Sequence, residues 1–217
     1  MGFSAVLWDF GGVITTSPFD AFNRYEAERG IPRDFIRKVN ARNHETNAWA
    51  QFESSHITVD EFDELFAAET AAAGYPVKGR EVIGLLGGDV RPRMVTVLEQ
   101  CKRDYRIACL TNNADAGTGA GMSSSSDEAE HVKAVMRLFD LIIESSKEGI
   151  RKPDSRIYAL VCERLEVDPC DIVFLDDLGI NLKPAREMGM TTIKVVSEEQ
   201  AIADLENVLG ASFAAAS

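Results

Sequence analysis

The chain has 217 residues, 45% of them hydrophobic, and sets 23 Lys and Arg against 35 Asp and Glu for a formal net charge of -12. That apolar content is enough to bury a substantial core, and the length suits one domain with an insertion or two small ones. The negative field would repel a nucleic-acid backbone or an anionic membrane, so neither is an expected partner.

Residues 4–8, Ser-Ala-Val-Leu-Trp, form a short apolar run ahead of glycines, the pattern of a strand covered on both faces. The run leads into Asp9, Gly11 and Gly12. A carboxylate at the end of so apolar a segment needs a compensating partner or a metal. Residues 17–90 then show helical periodicity without a strand, broken at "GIP" (30–32), "ITVDEF" (57–62) and "AGYPVKG" (73–79). Thr58 and Glu61 are spaced as a capping box, sharing the free amides of a helical first turn. Beyond residue 90, helical patterns at 92–102, 128–138, 154–165 and 182–188 alternate with apolar strings at 106–113, 140–146, 171–177 and 191–196. "TGAGMSSSS" (118–126) reads as a mobile loop and the Ala-rich end from residue 210 as a frayed tail. Alternation of this kind predicts an α/β protein with a Rossmann-like parallel-sheet core and helices on both faces. Its core would comprise residues 1–16 and 91–217, with a small all-helical cap, 17–90, inserted after strand one and hinged near 15–19 and 86–92.

In open α/β sheets ligands bind beyond the carboxyl ends of the strands. At those ends the sequence offers Asp9, Gly11 and Gly12; Thr111, Asn112 and Asn113 in "LTNN"; Lys152 in "RKPD"; and Asp176, Asp177 and Asn181 in "FLDDLGIN". Each taken singly is an ordinary turn or capping residue. Together they place three carboxylates, one ammonium and several hydrogen-bond donors at four strand ends, a set suited to phosphate or metal chemistry.

These motifs resemble those of the haloacid dehalogenase-like hydrolase superfamily: "DFGGV" its nucleophile motif, "LTNN" its second, Lys152 its third and "FLDDLGIN" its acidic fourth. Residues 148–195 are similar to the branch that holds the N-terminal phosphatase domain of soluble epoxide hydrolases and the related acyl-CoA dehydrogenase fusions. The resemblance implies that Asp9 attacks a phosphoryl group to form an aspartyl phosphate that water hydrolyses. It implies Mg²⁺ held by Asp9, the Gly11 carbonyl and Asp177, with Asp176 in support. Lys152 would pair with Asp9 and the phosphoryl group, and Thr111, Asn112, Asn113, Gly11 and Gly12 would cradle it. The expected ligand is a small phosphorylated metabolite. Glycines at 11 and 12 are expected to let the backbone approach closely. One departure stands out: phosphatases of the superfamily usually carry a general acid/base aspartate two residues after the nucleophile, where this chain has Gly11. A dehalogenase-type hydrolase and a phospho-ligand-binding or regulatory module are the alternatives this leaves open.

Cys101, Cys109, Cys162 and Cys170 show no C-x-x-C pair and read as free buried thiols. With no signal-peptide pattern in "MGFSAVLWDF" and no bilayer-length apolar run, the expected setting is cytoplasmic. His44, His56 and His131 lack a second ligand at metal spacing, and nothing in the sequence orients Arg42 or Asn43 toward a site. Trp8 is expected to pack in the core.

Overall fold

A computed structural model describes residues 2–113 and 126–213. Five parallel strands, β1 (Ala5–Trp8), β2 (Arg106–Thr111), β3 (Leu141–Glu144), β4 (Ile172–Asp176) and β5 (Thr191–Lys194), lie in the order β3-β2-β1-β4-β5. Each observed strand is a little shorter than its apolar string. The central strand shows why these segments read as continuously apolar. Val6 and Trp8 enter one core, with Val97, Leu98, Val132, Val135 and Leu205, while Ala5 and Leu7 enter the other, with Ile157, Tyr158, Val161 and Leu182. The first core is closed by α6 (Pro92–Cys101), α7 (Ser126–Met136) and α11 (Glu198–Leu209), the second by α9 (Ser155–Leu165) and α10 (Gly179–Glu187); the short α8 (Ser145–Glu148) follows β3 directly.

Between β1 and α6 lie five helices, α1 (Pro18–Glu28), α2 (Phe35–Asn40), α3 (Ala48–Glu53), α4 (Val59–Ala72) and α5 (Gly79–Ile83), with a third core of their own. Its centre is aromatic: Phe52 stacks on Phe62 at 4.4 Å, and Trp49 meets Phe62 edge-on at 5.4 Å. Ser17 caps α1 ahead of Pro18, Asn47 caps α3, and Thr58 with Glu61 forms the capping box of α4. The two connections to the sheet run side by side. Thr15 bridges Val90, the Thr16 N–H donates to the Asp89 carbonyl (2.9 Å), and the Arg91 N–H donates to Ile14 (2.9 Å).

Three local expectations change. Helix α10 begins at Gly179 rather than 182, because Asp176 accepts the Leu178 N–H and thereby nucleates the turn three residues early. The tail is not frayed throughout: Phe213 packs on the core and its N–H donates to Glu206 (2.6 Å). The four thiols are unpaired, but Cys162 is half-buried and Cys170 exposed. Of the loop expected at 118–126, residues 118–125 lie outside the described residues and Ser126 opens α7; residues 214–217 also lie outside them. Among the described residues no helix is long and apolar enough to cross a membrane.

Candidate active site

Because β1 is flanked by β2 on one side and β4 on the other, the chain after each strand diverges over one edge of the sheet. Asp9 follows β1 there, its N–H donating to the Leu175 carbonyl (2.9 Å). Its Oδ1 accepts the Phe10 N–H (2.7 Å) and its Oδ2 lies 2.9 Å from Lys152 Nζ. Lys152 is fully buried and bridges to Asp176 Oδ2 at 2.7 Å. Asp176, also fully buried, accepts from the Leu178 N–H (2.8 Å) and from Asn181 Nδ2 (3.0 and 3.1 Å). A lysine in so dry a place is tolerable only because both neighbours are carboxylates.

The second motif holds that lysine by its backbone. Asn112 donates from Nδ2 to the Lys152 carbonyl (3.0 Å) and accepts the Lys152 N–H at Oδ1 (2.9 Å), so both ends of its side-chain amide are engaged. Asn113 is likewise engaged, donating to Glu144 (2.9 Å) and accepting from Ser146 (2.9 Å). Thr111 ends β2, is buried, and lines the cavity described below.

Gly11 and Gly12, expected to serve alike, differ. Gly12 adopts φ 75°, and a Cβ there would stand 2.6 Å from Cγ of Asp177. At Gly11 a Cβ would meet nothing within 4 Å. The first absence of a side chain makes room for Asp177; the second leaves open space beside Asp9.

Oxygen atoms of Asp9, Asp176 and Asp177 fall within 4.8 Å of one another. Desolvation raises the Asp9 carboxyl well above the usual range, only partly offset by Lys152, with the Asp176 and Asp177 charges adding to the rise. Burial and the Asp176 charge push Asp177 up to about 6, while Lys152 and Arg37 pull it back. Burial works against the Lys152 ammonium, yet Asp176 and Asp9 hold its pKa above that of an ordinary lysine. One ammonium shared among three carboxylates leaves the cluster short of positive charge, and its donors are hard oxygens, a set that fits a hard divalent cation.

A cavity of about 500 Å³ opens over this cluster, between the sheet edge and helices α1–α3. Its far wall is apolar, formed by Phe10, Phe19, Phe22, Trp49, Phe52 and Leu86. Arg37, Asn40 and His44 add polar groups to the same wall. Arg151 ties the insertion to the sheet side: it lies 2.7 Å from Glu53 Oε2 through both Nε and NH2, and its NH1 donates to the His44 carbonyl (2.9 Å). Ser145 donates to the Glu53 carbonyl (2.7 Å). The sequence reading passed over Arg37, Asn40, Arg151 and Glu53. Arg42 and Asn43 are exposed outside the cavity lining, as are His56 and His131, and Trp8 is fully buried in the core.

The parallel sheet carries an acidic cluster and a buried lysine at its carboxyl edge, a set suited to phosphate or metal chemistry. A family model for haloacid dehalogenase-like hydrolases matches residues 3–189, and the chain belongs to that family of enzymes. Mouse acyl-CoA dehydrogenase family member 10 is 33% identical over 216 residues, covering 96% of this chain and 19% of that protein. Mouse bifunctional epoxide hydrolase 2 is 29% identical, covering 98% of the chain and 40% of its own length. The chain therefore spans between a fifth and two fifths of these two relatives. A sesquiterpene phosphatase from Aspergillus oryzae is 24% identical over 96% of this chain and 97% of its own. Among solved structures, a Bacteroides thetaiotaomicron enzyme of the family in complex with magnesium and inorganic phosphate superposes with a TM-score of 0.60 at 20% identity, covering 91% of this chain and 96% of that one.

Proposed function

We propose that the protein is a Mg²⁺-dependent phosphoric monoester hydrolase with Asp9 as nucleophile. The observation that carries this reading is the buried Asp9–Lys152–Asp176 bridge with Asp177 beside it, opening on a cavity large enough for a small ester. A carboxylate oxygen of Asp9 attacks phosphorus as the bond to the leaving oxygen breaks; water then attacks the aspartyl phosphate and releases phosphate, restoring the carboxylate. Lys152 favours the ionised form of Asp9 against the desolvation that opposes it, and supplies positive charge next to the transferring group. Thr111 through its hydroxyl and Asn112 through its backbone N–H are the donors offered to phosphoryl oxygens, the Asn112 side chain being clamped to the Lys152 backbone. Asn113 acts through its ties to Glu144 and Ser146, fixing the loop after β2.

Asp9, Asp177 and the Gly11 carbonyl are the groups that would hold Mg²⁺, since every oxygen of Asp176 already accepts from Lys152, Asn181 or Leu178. When bound, the ion supplies the positive charge that a phosphoryl group needs against three carboxylates. The relatives named as phosphatases support the same chemistry. In this reading residues 17–90 are a cap over the core, and its aromatic wall faces the leaving group.

The open space at Gly11 holds no acid to protonate a departing alkoxide. Since a positioned acid or base contributes about 100- to 10,000-fold, leaving groups that need no proton are favoured: aryl, acyl or anomeric phosphates. With Mg²⁺, purified protein should hydrolyse phenyl phosphate faster than an alkyl phosphate of similar size, and Asp9→Asn should abolish both. Hydrolysis that persists in chelator, or survives Asp9→Asn, would overturn the assignment; the former outcome would favour metal-free dehalogenase-type chemistry.

A further inference from the structure

The cavity combines two properties with separate causes. The first lies at Asp9, where a Cβ on Gly11 would meet nothing within 4 Å, so no acid stands ready to protonate a leaving oxygen. The second is the character of the remaining surface. From the insertion, Phe19, Trp49 and Leu86 are half-buried and line the cavity. From the sheet side, Leu178 and Ile180 line it just beyond Asp177. Leu178 packs against none of the three cores of the described residues, and Ile180 is 46% exposed. Large apolar side chains left outside every core, beside a charged cluster and across the cavity from aromatic rings, form a slot for an apolar ligand.

Polar readers are scarce by comparison. Asn112, Asn113 and Asn181 commit their amides to Lys152, Glu144, Ser146 and Asp176, and Arg151 is paired with Glu53. Arg37 is exposed, with its charge acting on Asp177, and Asn40 Oδ1 is buried. A sugar or nucleotide would set several hydroxyls or ring nitrogens against Phe19, Trp49 and Ile180 with few fixed groups to meet them, which desolvation penalises.

We propose that the slot takes an arene, so that the substrate is the phosphate ester of a phenol carrying more than one apolar ring. This rests on the phosphatase reading of the core site and chooses among the leaving groups that reading favours. An anomeric sugar lacks the apolar body, and an alkyl ester lacks the leaving ability. A phenol supplies both: with a pKa of about 10, it departs as phenoxide, taking the electron pair of its broken P–O bond and no proton from the protein. A fatty acyl phosphate would leave as readily, but its flexible chain would lose rotational freedom in the slot and gain no ring contact with Trp49. The cavity, about 500 Å³, is in the range that holds ligands of drug size, so a single ring would leave much of it to water.

Two series separate the body of the ester from its leaving ability. Calorimetric titration of the Mg²⁺-loaded protein compares benzylphosphonate with 2-naphthylmethylphosphonate, which differ by one fused ring and do not turn over. The larger ligand should bind about tenfold more tightly, the worth of burying the extra ring carbons. That ratio should fall toward one in Phe19→Ser and in Ile180→Ser; the exposure of Ile180 lets its variant fold even where Phe19→Ser does not. Because the readout is a ratio, a general weakening of binding does not imitate the effect. In turnover, 2-naphthyl phosphate should exceed phenyl phosphate and glucose 1-phosphate in kcat/KM by about tenfold or more. It should exceed 2-naphthylmethyl phosphate, which carries the same rings on an alkoxide, by about 100-fold. Equal affinities for the two phosphonates, a ratio unchanged in Ile180→Ser, or glucose 1-phosphate as the better substrate would overturn the arene slot, and equal rates on the two naphthyl esters would overturn the phenol. Turnover of phenyl phosphate without a ring preference removes the slot alone. A naphthyl preference in binding with no turnover of any ester removes the phosphatase assignment alone, and absence of both binding and turnover removes both.

Discussion

The two glycines that follow Asp9 give the sharpest test of how this site is built. Gly12 has φ 75°, a region that costs an L-residue about 1–2 kcal/mol. Its missing Cβ is also the space that Asp177 fills: the new carbon would lie 2.6 Å from Cγ and 3.2 Å from Cβ of Asp177. The short Asp177 side chain can rotate away, so the steric clash is relieved mainly at the expense of its place beside Asp9. Gly12→Ala is therefore expected to lower stability by about 1–2 kcal/mol, which for a chain of this size moves the melting midpoint by about 2–8 °C. Mg²⁺ affinity should fall further than stability does, by tenfold or more. Gly11→Ala is the control, since its Cβ meets nothing within 4 Å and its φ lies outside the left-handed region. It should stay within about 0.5 kcal/mol of wild type. Thermal melts and Mg²⁺ titrations of both variants decide the matter. If Gly12→Ala melts and binds Mg²⁺ like wild type, or if the two variants behave alike, the account of Asp177 placement is wrong.

Other consequences concern charge. Asp177, raised to about 6 by burial and by Asp176, binds its proton more tightly in the folded protein than in the unfolded chain. In the metal-free protein its contribution to stability therefore grows as pH falls from above 6 toward 4, and Mg²⁺ must displace that proton. Mg²⁺ affinity measured calorimetrically should weaken by about tenfold or more per unit below pH 6, the raised Asp9 carboxyl adding to the effect; equal affinity at pH 5 and 7 would refute it. Lys152→Met leaves Asp9 and Asp176 facing each other without their ammonium, so urea denaturation should show a loss of about 3–5 kcal/mol, partly restored by Mg²⁺; an unchanged midpoint would contradict the bridge. Glu53→Gln breaks the half-buried pair with Arg151 that ties the insertion to the sheet, and should cost about 1 kcal/mol in the same assay; no change would mean the tie carries no stability.

How much of this could be read from residues alone follows from what each signal encodes. Strands β1, β2 and β4 were legible because both their faces are buried, so every residue from Ala5 to Trp8 is apolar and the first polar residue at each carboxyl end, Asp9, Thr111 or Asp176, marks the sheet edge. Asp9, Asp176 and Asp177 were legible for the same reason, since charge at the end of a dry strand must be compensated by something; Lys152, beyond the helix that follows β3, was legible through its "RKPD" motif. The capping box at Thr58 was a purely local pattern and fell where its spacing put it. Glycine identity, by contrast, does not state the sign of φ, and so Gly11 and Gly12 looked interchangeable. The Glu53–Arg151 pair joins residues 98 apart in sequence and leaves no local trace. The Arg37, Asn40 and His44 wall was hidden more deeply, because a polar stripe along a short helix is the ordinary signature of a face turned to bulk water. Here Phe35, Ile36 and Val39 bury the opposite side of α2 in the insertion's own aromatic core, so the polar stripe faces a cavity. Periodicity reports which face of a helix avoids its own core, and it takes the tertiary structure to say whether that face meets solvent or a substrate.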